Sequence, residues 1–461
     1  MGKDTTNPRI SKVGITDETL TGRGGLALFS RYLERVGLLR ILAGEFSFIR
    51  LSKKGLPLVA LFKQILCFFF DGTSRHITYF DHLQRDAGYA GEIETVMEKM
   101  ASSHVVKRFF APFAWHHGRA FRWVLQRLFV WRLAIEMPAV IEFTIDTMVM
   151  DNDEAQAREG VSPTYKKVKG FHPLHAIWNG RIIDAIFRGG KKHGNFGKLA
   201  ADMIFGLVEL IREKYDKDVP IIVRLDSAFF DIYNFAALDW MGVAFIASGK
   251  MYAGVKEQAS VAAPENWRCY DNGRQAWKYL EFGFRCDDWP RFYRAIYTRP
   301  EYDGEQRTFD FARPDNVIIT NIGVSEKPFA KADAATQAHW QNPETIIHGH
   351  HMRGADELPH RGLKDFGFEQ LPFKRFGANS AFYYCMVIAF FLFECFKRDV
   401  THDVLPVTAY ATTIRRRLVD IAAKLVKKSG RIVLRVARAT MEALRFDLLW
   451  ANCNNPPPIP A

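Results

Sequence analysis

The sequence lacks the features that mark exported, zinc-binding or repetitive proteins. Its six cysteines are scattered over 461 residues without a C-x-x-C pair, so neither a zinc module nor a disulfide framework is expected. The opening residues, MGKDTTNPRI, contain no apolar segment of the kind that directs export. No internal repeat is visible, and low complexity is confined to the tail NNPPPIPA, which we expect to be disordered. A reducing, cytoplasmic setting is the simplest interpretation.

One apolar run approaches the length of a membrane span. It covers residues 378–396, ANSAFYYCMVIAFFLFECF. Asn379 and Ser380 open this run, and Glu394 lies inside it. Because a helix buried against a sheet has the same composition, the run predicts a core helix and no association with a membrane.

The charge balance of the chain favours a polyanionic partner. The sequence has 63 Lys and Arg against 51 Asp and Glu, a formal charge of +12, and a pI near 9.3. The basic residues are spread along the whole length, which suits a protein that contacts DNA through several domains. A protein that is merely basic remains the alternative.

Hydrophobic periodicity divides the chain into four parts. Residues 1–137 are predicted to be mainly helical, and their basic, aromatic-bearing helices are candidates for binding DNA ends; residues 138–400 are predicted to form an α/β core. Within that core, residues 250–325 have the alternating pattern of a β-rich insertion. Residues 401–461 form a basic C-terminal segment that ends in the low-complexity tail.

The pattern within the core predicts the order of its strands. VIEFTIDTMVMD alternates apolar and polar residues, and Asn179-Gly180 is a strong hairpin signal between the next two strands. A helix, the buried strand PIIVRLD, a second helix and the strand VAFIAS follow. Three strands with a hairpin, then helix, strand, helix and strand are typical of the RNase H-like fold, although other mixed sheets remain possible.

Two aspartates stand at the ends of these strands. Asp146 lies near the end of the first strand, and Asp226 ends PIIVRLD. Ligands collect beyond the carboxyl ends of strands in α/β sheets, and neighbouring carboxylates are costly unless a cation neutralises them. Oxygen ligands select Mg²⁺ or Mn²⁺, and two such ions suit phosphodiester chemistry. Taken singly, each aspartate is better explained as a residue that caps a turn.

A third carboxylate lies in a spaced set of basic residues. In HHMRGADELPHRGLK, the residues His350, Arg353, Glu357 and Lys364 are separated by 3, 4 and 7 positions. At about 100° per residue they fall on one stripe of a helix. Arginine and lysine would hold DNA phosphates while the glutamate completes a metal site. An ordinary amphipathic helix with salt bridges is the alternative.

These segments resemble the bacterial insertion-sequence transposases of the DDE group-1 type. Around its catalytic glutamate that family has the signature Tyr-x2-Arg-x3-Glu-x6-Lys. Arg353, Glu357 and Lys364 match it at the required spacing, and His350 takes the tyrosine position. IDTMVMDNDEAQAREGVSPTYKKVKGFHPL resembles the first-aspartate segment and LDSAFFD the second. The resemblance runs from about residue 20 to residue 440.

The resemblance implies an RNase H-like core, interrupted by the β-rich insertion, that performs cut-and-paste DNA transposition. Asp146, Asp226 and Glu357 would hold two Mg²⁺ or Mn²⁺ ions per active site. An activated water would cut the phosphodiester at a terminal inverted repeat, and the released 3′-OH would attack target DNA. Such enzymes act as homodimers on paired double-stranded ends. A nuclease without strand transfer, or a catalytically silent DNA-binding protein, remains the alternative.

Other residues are weaker candidates for contacts with DNA. His350 replaces a tyrosine with a titratable ring, and Pro359 follows Glu357 closely enough to kink the helix. The lysines of TYKKVKG are candidates for phosphate binding, although a solvated charge run explains them nearly as well; they are Lys166, Lys167 and Lys169. Three tryptophans of the insertion are candidates for base stacking, although burial is the better explanation for each; they are Trp267, Trp277 and Trp289.

Overall fold

The fold was analysed in a computed structural model. It describes residues 10, 12–49, 55–155, 157–192, 195–287, 289, 291–301 and 315–460, and for residues 353–356 it describes the backbone alone.

Helices dominate the N-terminal part of the chain. Its elements are β1 (Thr19–Thr21), α1 (Leu26–Arg35), α2 (Leu38–Glu45), α3 (Leu58–Asp71), α4 (Phe80–Leu83), α5 (Ala87–Glu92), α6 (Ser103–Phe110) and α7 (Gly118–Glu136). Ser102 caps α6, because its hydroxyl accepts a hydrogen bond from the Val105 amide at 3.3 Å. The stacked rings of Phe29 and Phe70, 3.9 Å apart, join α1 to α3.

The next segment forms the centre of a large sheet. Its elements are β2 (Ile141–Thr147), β3 (Met150–Asp151), β4 (Ser162–Pro163), β5 (Lys169–Phe171), β6 (Leu174–Trp178), β7 (Arg181–Ile186), α8 (Leu199–Lys214), β8 (Ile221–Leu225), α9 (Ile232–Trp240) and β9 (Ala244–Ser248). β2 pairs antiparallel with β6 and parallel with β8, which pairs parallel with β9. Asn179 and Gly180 turn the β6–β7 hairpin with φ of 47° and 80°, the left-handed values that this two-residue turn requires.

The segment predicted as a β-rich insertion extends the same sheet. It contains α10 (Ala253–Val261), β10 (Arg268–Asp271), β11 (Ala276–Phe284), β12 (Tyr293–Pro300) and β13 (Asn316–Thr320). Because β13 pairs with β9, nine of the described strands form one mixed sheet. Their order is β10-β11-β12-β13-β9-β8-β2-β6-β7. The α/β class of the prediction is therefore confirmed.

The remaining elements cover this sheet and return to the N-terminal helices. They are α11 (Ala334–Gln341), α12 (Pro343–His351), α13 (Arg353–Phe366), α14 (Phe376–Phe396), α15 (Ala411–Ile414), β14 (Ala423–Lys428), β15 (Arg431–Val436), α16 (Arg438–Ala443) and α17 (Phe446–Asn454). Helix α14 and the helical turn that continues it, Phe376–Thr401, are together long and apolar enough to cross a membrane. However, 89% of their most apolar stretch is buried inside the protein. Helix α14 thus packs as the core helix that the sequence predicts.

Alternation along the strands gives the sheet two different faces. Phe143, Ile145 and Val223 point into the main hydrophobic core. On the opposite face, Ile222 and Ile246 pack in a smaller apolar cluster with residues of α11 and α12. Asp146 at the end of β2 and Asp226 directly after β8 continue the alternation of these two strands, so their side chains point to that second face.

The C-terminal segment completes the N-terminal helical part. β14 pairs with β1, and Arg415 is bonded to the backbone carbonyls of Phe69 and Phe366, so Arg415 stabilises the fold and is not available to DNA. Ile459, in the tail that the sequence predicts to be disordered, contacts the N-terminal part of the chain. Ile459 is 7% exposed and its amide donates to the Val36 carbonyl at 2.9 Å, because an apolar residue among prolines finds a surface to cover.

Candidate active site

Two parallel strands bring Asp146 and Asp226 side by side. The β2–β8 register pairs Ile145 with Leu225, so the following residues are neighbours across the two strands. Adjacent strands lie roughly 4.8 Å apart, and equivalent positions of parallel strands point to the same face. Both carboxylates are half-buried there. The sheet therefore concentrates two negative charges at the carboxyl ends of its central strands.

Short local hydrogen bonds orient both carboxylates. The Thr147 amide donates to Asp146 Oδ1 at 2.6 Å. The Ala228 amide and the Ser227 hydroxyl donate to Asp226 Oδ1 at 2.9 and 2.8 Å. Asp226 thus caps the short turn that follows β8, which is the structural role that the sequence also suggested. The cap fixes the direction of a side chain that remains at the sheet edge.

Helix α13 carries Glu357 across these strand ends. Glu357 is exposed, and His360, one turn further along, places Nδ1 3.6 Å from Asp146 Oδ2. Tyr165 lies near all three acids: its pKa is raised first by burial and then by the negative charges of Asp146, Asp226 and Glu357. The charges of the three acidic residues singled out in the sequence therefore all act on one tyrosine, which is 66% exposed.

The chemistry of these side chains fits a hard divalent cation. All three offer carboxylate oxygens, and Mg²⁺ needs only one or two carboxylates from the protein because it retains several waters. Among the described residues, no group of three His, Cys, Asp or Glu side chains is close enough to enclose an ion as they stand. The carboxylate oxygens of these residues are therefore suitable ligands for Mg²⁺ or Mn²⁺, but in this structure the three carboxylates are not grouped around one ion position.

A buried, hydrogen-bonded row of three side chains, His360, His175 and Tyr383, lies next to Asp146. His175, on β6 directly opposite Asp146 in the register, is fully buried. Its Nδ1 lies 2.9 Å from His360 Nε2, and its Nε2 is hydrogen-bonded to the Tyr383 hydroxyl. The row joins β6 and α14 to the helix that carries Glu357.

Burial keeps both histidines of this row neutral. It lowers the pKa of His175 well below its usual range. Burial, together with the positive charges of Lys364 and Lys166, lowers the pKa of His360 to about 4. With Tyr383 donating to His175 and His175 donating to His360, the remaining N–H of His360 faces the Asp146 carboxylate. The opposite arrangement would direct a lone pair at that carboxylate, so one tautomer of each ring is favoured.

The stripe that includes His350 is not a single helical face. α12 ends at His351 and α13 begins at Arg353, so the stripe spans two helices. His350 is 8% exposed and its Nε2 lies 2.9 Å from Ser248 Oγ at the end of β9. The ring of His350 thus faces the interior in this structure, and phosphate binding by His350 stays a prediction. The side chain of Arg353 lies outside the described residues, and its role stays a prediction.

The predicted phosphate-binding lysines lie around the carboxylates in different environments. Lys364 Nζ is 2.7 Å from Glu369 Oε2, and both side chains are one third exposed. Lys166 is exposed, with Nζ 5.8 Å from the Tyr165 ring, and its charge acts on His360. Lys167 and Lys169 are exposed in the same segment. Phosphate binding by these lysines stays a prediction.

The three tryptophans of the insertion differ sharply in exposure. Trp289 is 5% exposed and packs against Phe230, Phe235, Phe284 and Tyr293, which agrees with the structural alternative, and base stacking by Trp289 stays a prediction. Trp277 is half-buried with its ring 4.5 Å from that of His351. Trp267 is half-buried beneath the Arg299 guanidinium at 5.1 Å. Stacking by Trp267 or Trp277 stays a prediction.

Comparisons with known proteins address the identity of the chain. No curated protein matches the sequence. A solved structure that matches is described as the "Cryo-EM structure of piggyBac transposase synaptic complex with hairpin DNA (SNHP)", with 11% identity and a TM-score of 0.41 over 87% of this chain and 81% of that one. The family described as "Transposase DDE domain group 1" matches residues 6–455, nearly the whole chain. The chain therefore belongs to the DDE transposase group 1 family.

Proposed function

We propose that this protein is a metal-dependent DNA transposase that cuts transposon ends and joins them to target DNA. The observation that carries the proposal is the pair Asp146 and Asp226 at the ends of parallel strands, next to which α13 places His360, one turn from Glu357. The strand order β7-β6-β2-β8-β9, with its single antiparallel hairpin, supports an RNase H-like core. Membership of the family supplies the reaction class.

In this proposal, Asp146, Asp226 and Glu357 hold two Mg²⁺ or Mn²⁺ ions. Such ions, when bound, activate a water and stabilise the leaving oxygen of a phosphodiester. The protein's own contribution is to present carboxylates whose directions are fixed by the Thr147 and Ala228 amides. Neutral His360 adds no positive charge that would compete with a cation for Asp146.

The exposed residues around the carboxylates would position the DNA. Lys166, Lys167 and Lys169, with Arg353 and Lys364, are proposed to bind phosphates next to the bond that is cut. Tyr165 offers an exposed ring among the carboxylates on which an unpaired base can stack. We further propose that two copies act together on paired terminal inverted repeats, as the family resemblance implies.

The proposal is tested with a duplex that carries the inverted repeats flanking the gene, together with target plasmid and Mg²⁺ or Mn²⁺. Asp146→Asn, Asp226→Asn and Glu357→Gln should each abolish cleavage while end binding is retained. Glu213→Gln, an exposed acid on α8, is the matched control and should cleave normally.

The products distinguish the alternatives. Cleavage followed by joined product supports the transposase, while cleavage without joining under all conditions indicates a nuclease. Binding with no cleavage in either metal indicates a silent DNA-binding protein. Retained cleavage in one of the three carboxylate variants would remove that residue from the metal site.

A further inference from the structure

A cleft of about 540 Å³ between the N-terminal helices and the core is lined by cations. The remaining lining residues are neutral, and none of the described residues that line it is Asp or Glu. Its basic residues are Arg75, His76, Lys107, Arg158 and Lys374. Separate parts of the fold supply them, since they come from the loop after α3, from α6, from the loop after β3 and from the loop before α14.

Three cations of this cleft form no close ion pair with a described carboxylate, and one of them, Lys107, interacts electrostatically with Asp81. Among the described residues, Arg75, Lys107 and Lys374 have no carboxylate within ion-pair distance. Two other arginines of the protein, by contrast, form close ion pairs with aspartates. Arg122 binds fully buried Asp184 at 2.7 Å, and Arg132 binds Asp399 at 2.9 Å. Like charges brought together without a counter-charge repel one another, so the cleft favours an external anion.

A buried side chain holds one of the cations in place. Arg158 Nη1 donates to Asn152 Oδ1 at 3.0 Å, and Asn152 is fully buried. The Asn152 amide group in turn donates to the Glu369 carbonyl at 2.7 Å. This support fixes the Arg158 guanidinium before any ligand arrives, and a planar guanidinium matches the geometry of a phosphate.

The cleft is connected to the proposed active site through one segment. Gln370 lines the cleft, and its neighbour Glu369 pairs with Lys364 on the helix that carries Glu357. Glu369 also accepts a hydrogen bond from the amide of Asp151, the last residue of β3. The segment 369–370 therefore lies between α13 and the cleft, and it joins the two parts of the structure.

We propose that this cleft binds the phosphodiester backbone of duplex DNA outside the bond that is cut. The inference rests on the proposed function, since it assumes that DNA occupies the carboxylate site. Several cations from four different elements suit consecutive phosphates of a polymer, and contacts of this kind carry no base sequence information. The cleft thus supplies affinity and register along the duplex, while the carboxylates perform the chemistry.

The test is the salt dependence of DNA binding by the full chain. The triple variant Arg75→Gln, Lys107→Gln, Lys374→Gln is compared with wild type over a series of KCl concentrations. Each phosphate contact contributes about 0.9 to the slope of log K against log salt, so the slope should fall by roughly 2 to 3. Lys256→Gln with Lys331→Gln, two exposed lysines elsewhere, should leave the slope unchanged.

The outcomes separate this inference from the proposed function. If wild type cleaves the end duplex but the triple variant keeps the wild-type slope, the cleft does not bind DNA, although the transposase proposal stands. If the wild-type protein neither binds nor cleaves DNA, both fail. Displacement of DNA by inorganic phosphate at equal ionic strength would identify a site for small anions and overturn the inference. Unchanged circular dichroism and thermal unfolding of the variant establish that it is folded.

Discussion

The buried carboxyl of Glu92 should make the stability of this protein depend on pH. Glu92 ends α5, is 1% exposed, and lies under the sheet that joins β1 to β14 and β15. Burial raises its pKa from 4.5 to about 8, and the negative charges of Asp86 and Asp71 act in the same direction. The folded state therefore keeps a proton that the unfolded chain releases at lower pH.

The sign and the size of the effect follow from this difference. Because the native state binds more protons, the free energy of unfolding decreases as pH rises from 4.5 to about 8. One pKa unit corresponds to about 1.4 kcal/mol, so the loss reaches about 3 kcal/mol at pH 7 and about 5 kcal/mol above pH 8. Glu92→Gln keeps the shape of the side chain and removes its ionisation. The variant should match wild type near pH 4.5 and be more stable by these amounts at higher pH.

Urea unfolding of both proteins at pH 5, 6, 7 and 8 measures the difference directly. Glu98→Gln, an exposed glutamate six positions away, is the control and should show no pH-dependent gain. A stability difference between Glu92→Gln and wild type that stays constant from pH 5 to pH 8 would refute the reasoning. It would mean that Glu92 ionises in the folded protein as readily as in the unfolded chain.

Three further substitutions test the packing around the site. Tyr383→Phe removes the hydroxyl that is hydrogen-bonded to buried His175. It should lower the free energy of unfolding in urea by about 1 to 3 kcal/mol and slow DNA cleavage. If neither the stability nor the cleavage rate changes, the proposed role of this hydrogen bond is wrong. Asp184→Ala leaves Arg122 without its buried partner and should cost about 3 to 5 kcal/mol, where a loss below 1 kcal/mol would contradict the ion pair. Trp289→Ala should lower the free energy of unfolding, measured by thermal unfolding, by about 3 to 5 kcal/mol. Loss of DNA binding without a loss of stability would instead support base stacking by Trp289.

The parts of the site that the sequence predicts are those set by short-range patterns. The alternation around Asp146 and the apolar run before Asp226 indicate strands, and neighbouring strand ends meet by the geometry of the sheet. The Asn179-Gly180 turn is equally local, since both residues tolerate the left-handed backbone that they adopt. For these features, a few consecutive residues contain the necessary information.

The features that the sequence does not predict depend on distant packing. The stripe from His350 to Lys364 assumed one continuous helix, whereas the helices separate at Met352 and His350 turns toward Ser248. His175 and His360 are separated by 185 positions, and no periodicity links them. The one local signal for His360 is its spacing of three from Glu357, which places both on one helical face.

The pairing of β1 with β14 has a consequence for how the chain folds. Thr19 pairs with Leu425, and Lys424 binds Glu18, across 406 positions of sequence. The partner of β1 is therefore synthesised long after β1 itself. Contacts of such long sequence separation form slowly, because the intervening chain must first be ordered. During translation, the surface that β14 later covers stays open to chaperones and to proteases. A frameshift between Glu357 and β14 would therefore deprive the N-terminal helices of their closing strand, even though it leaves the three carboxylates in the sequence.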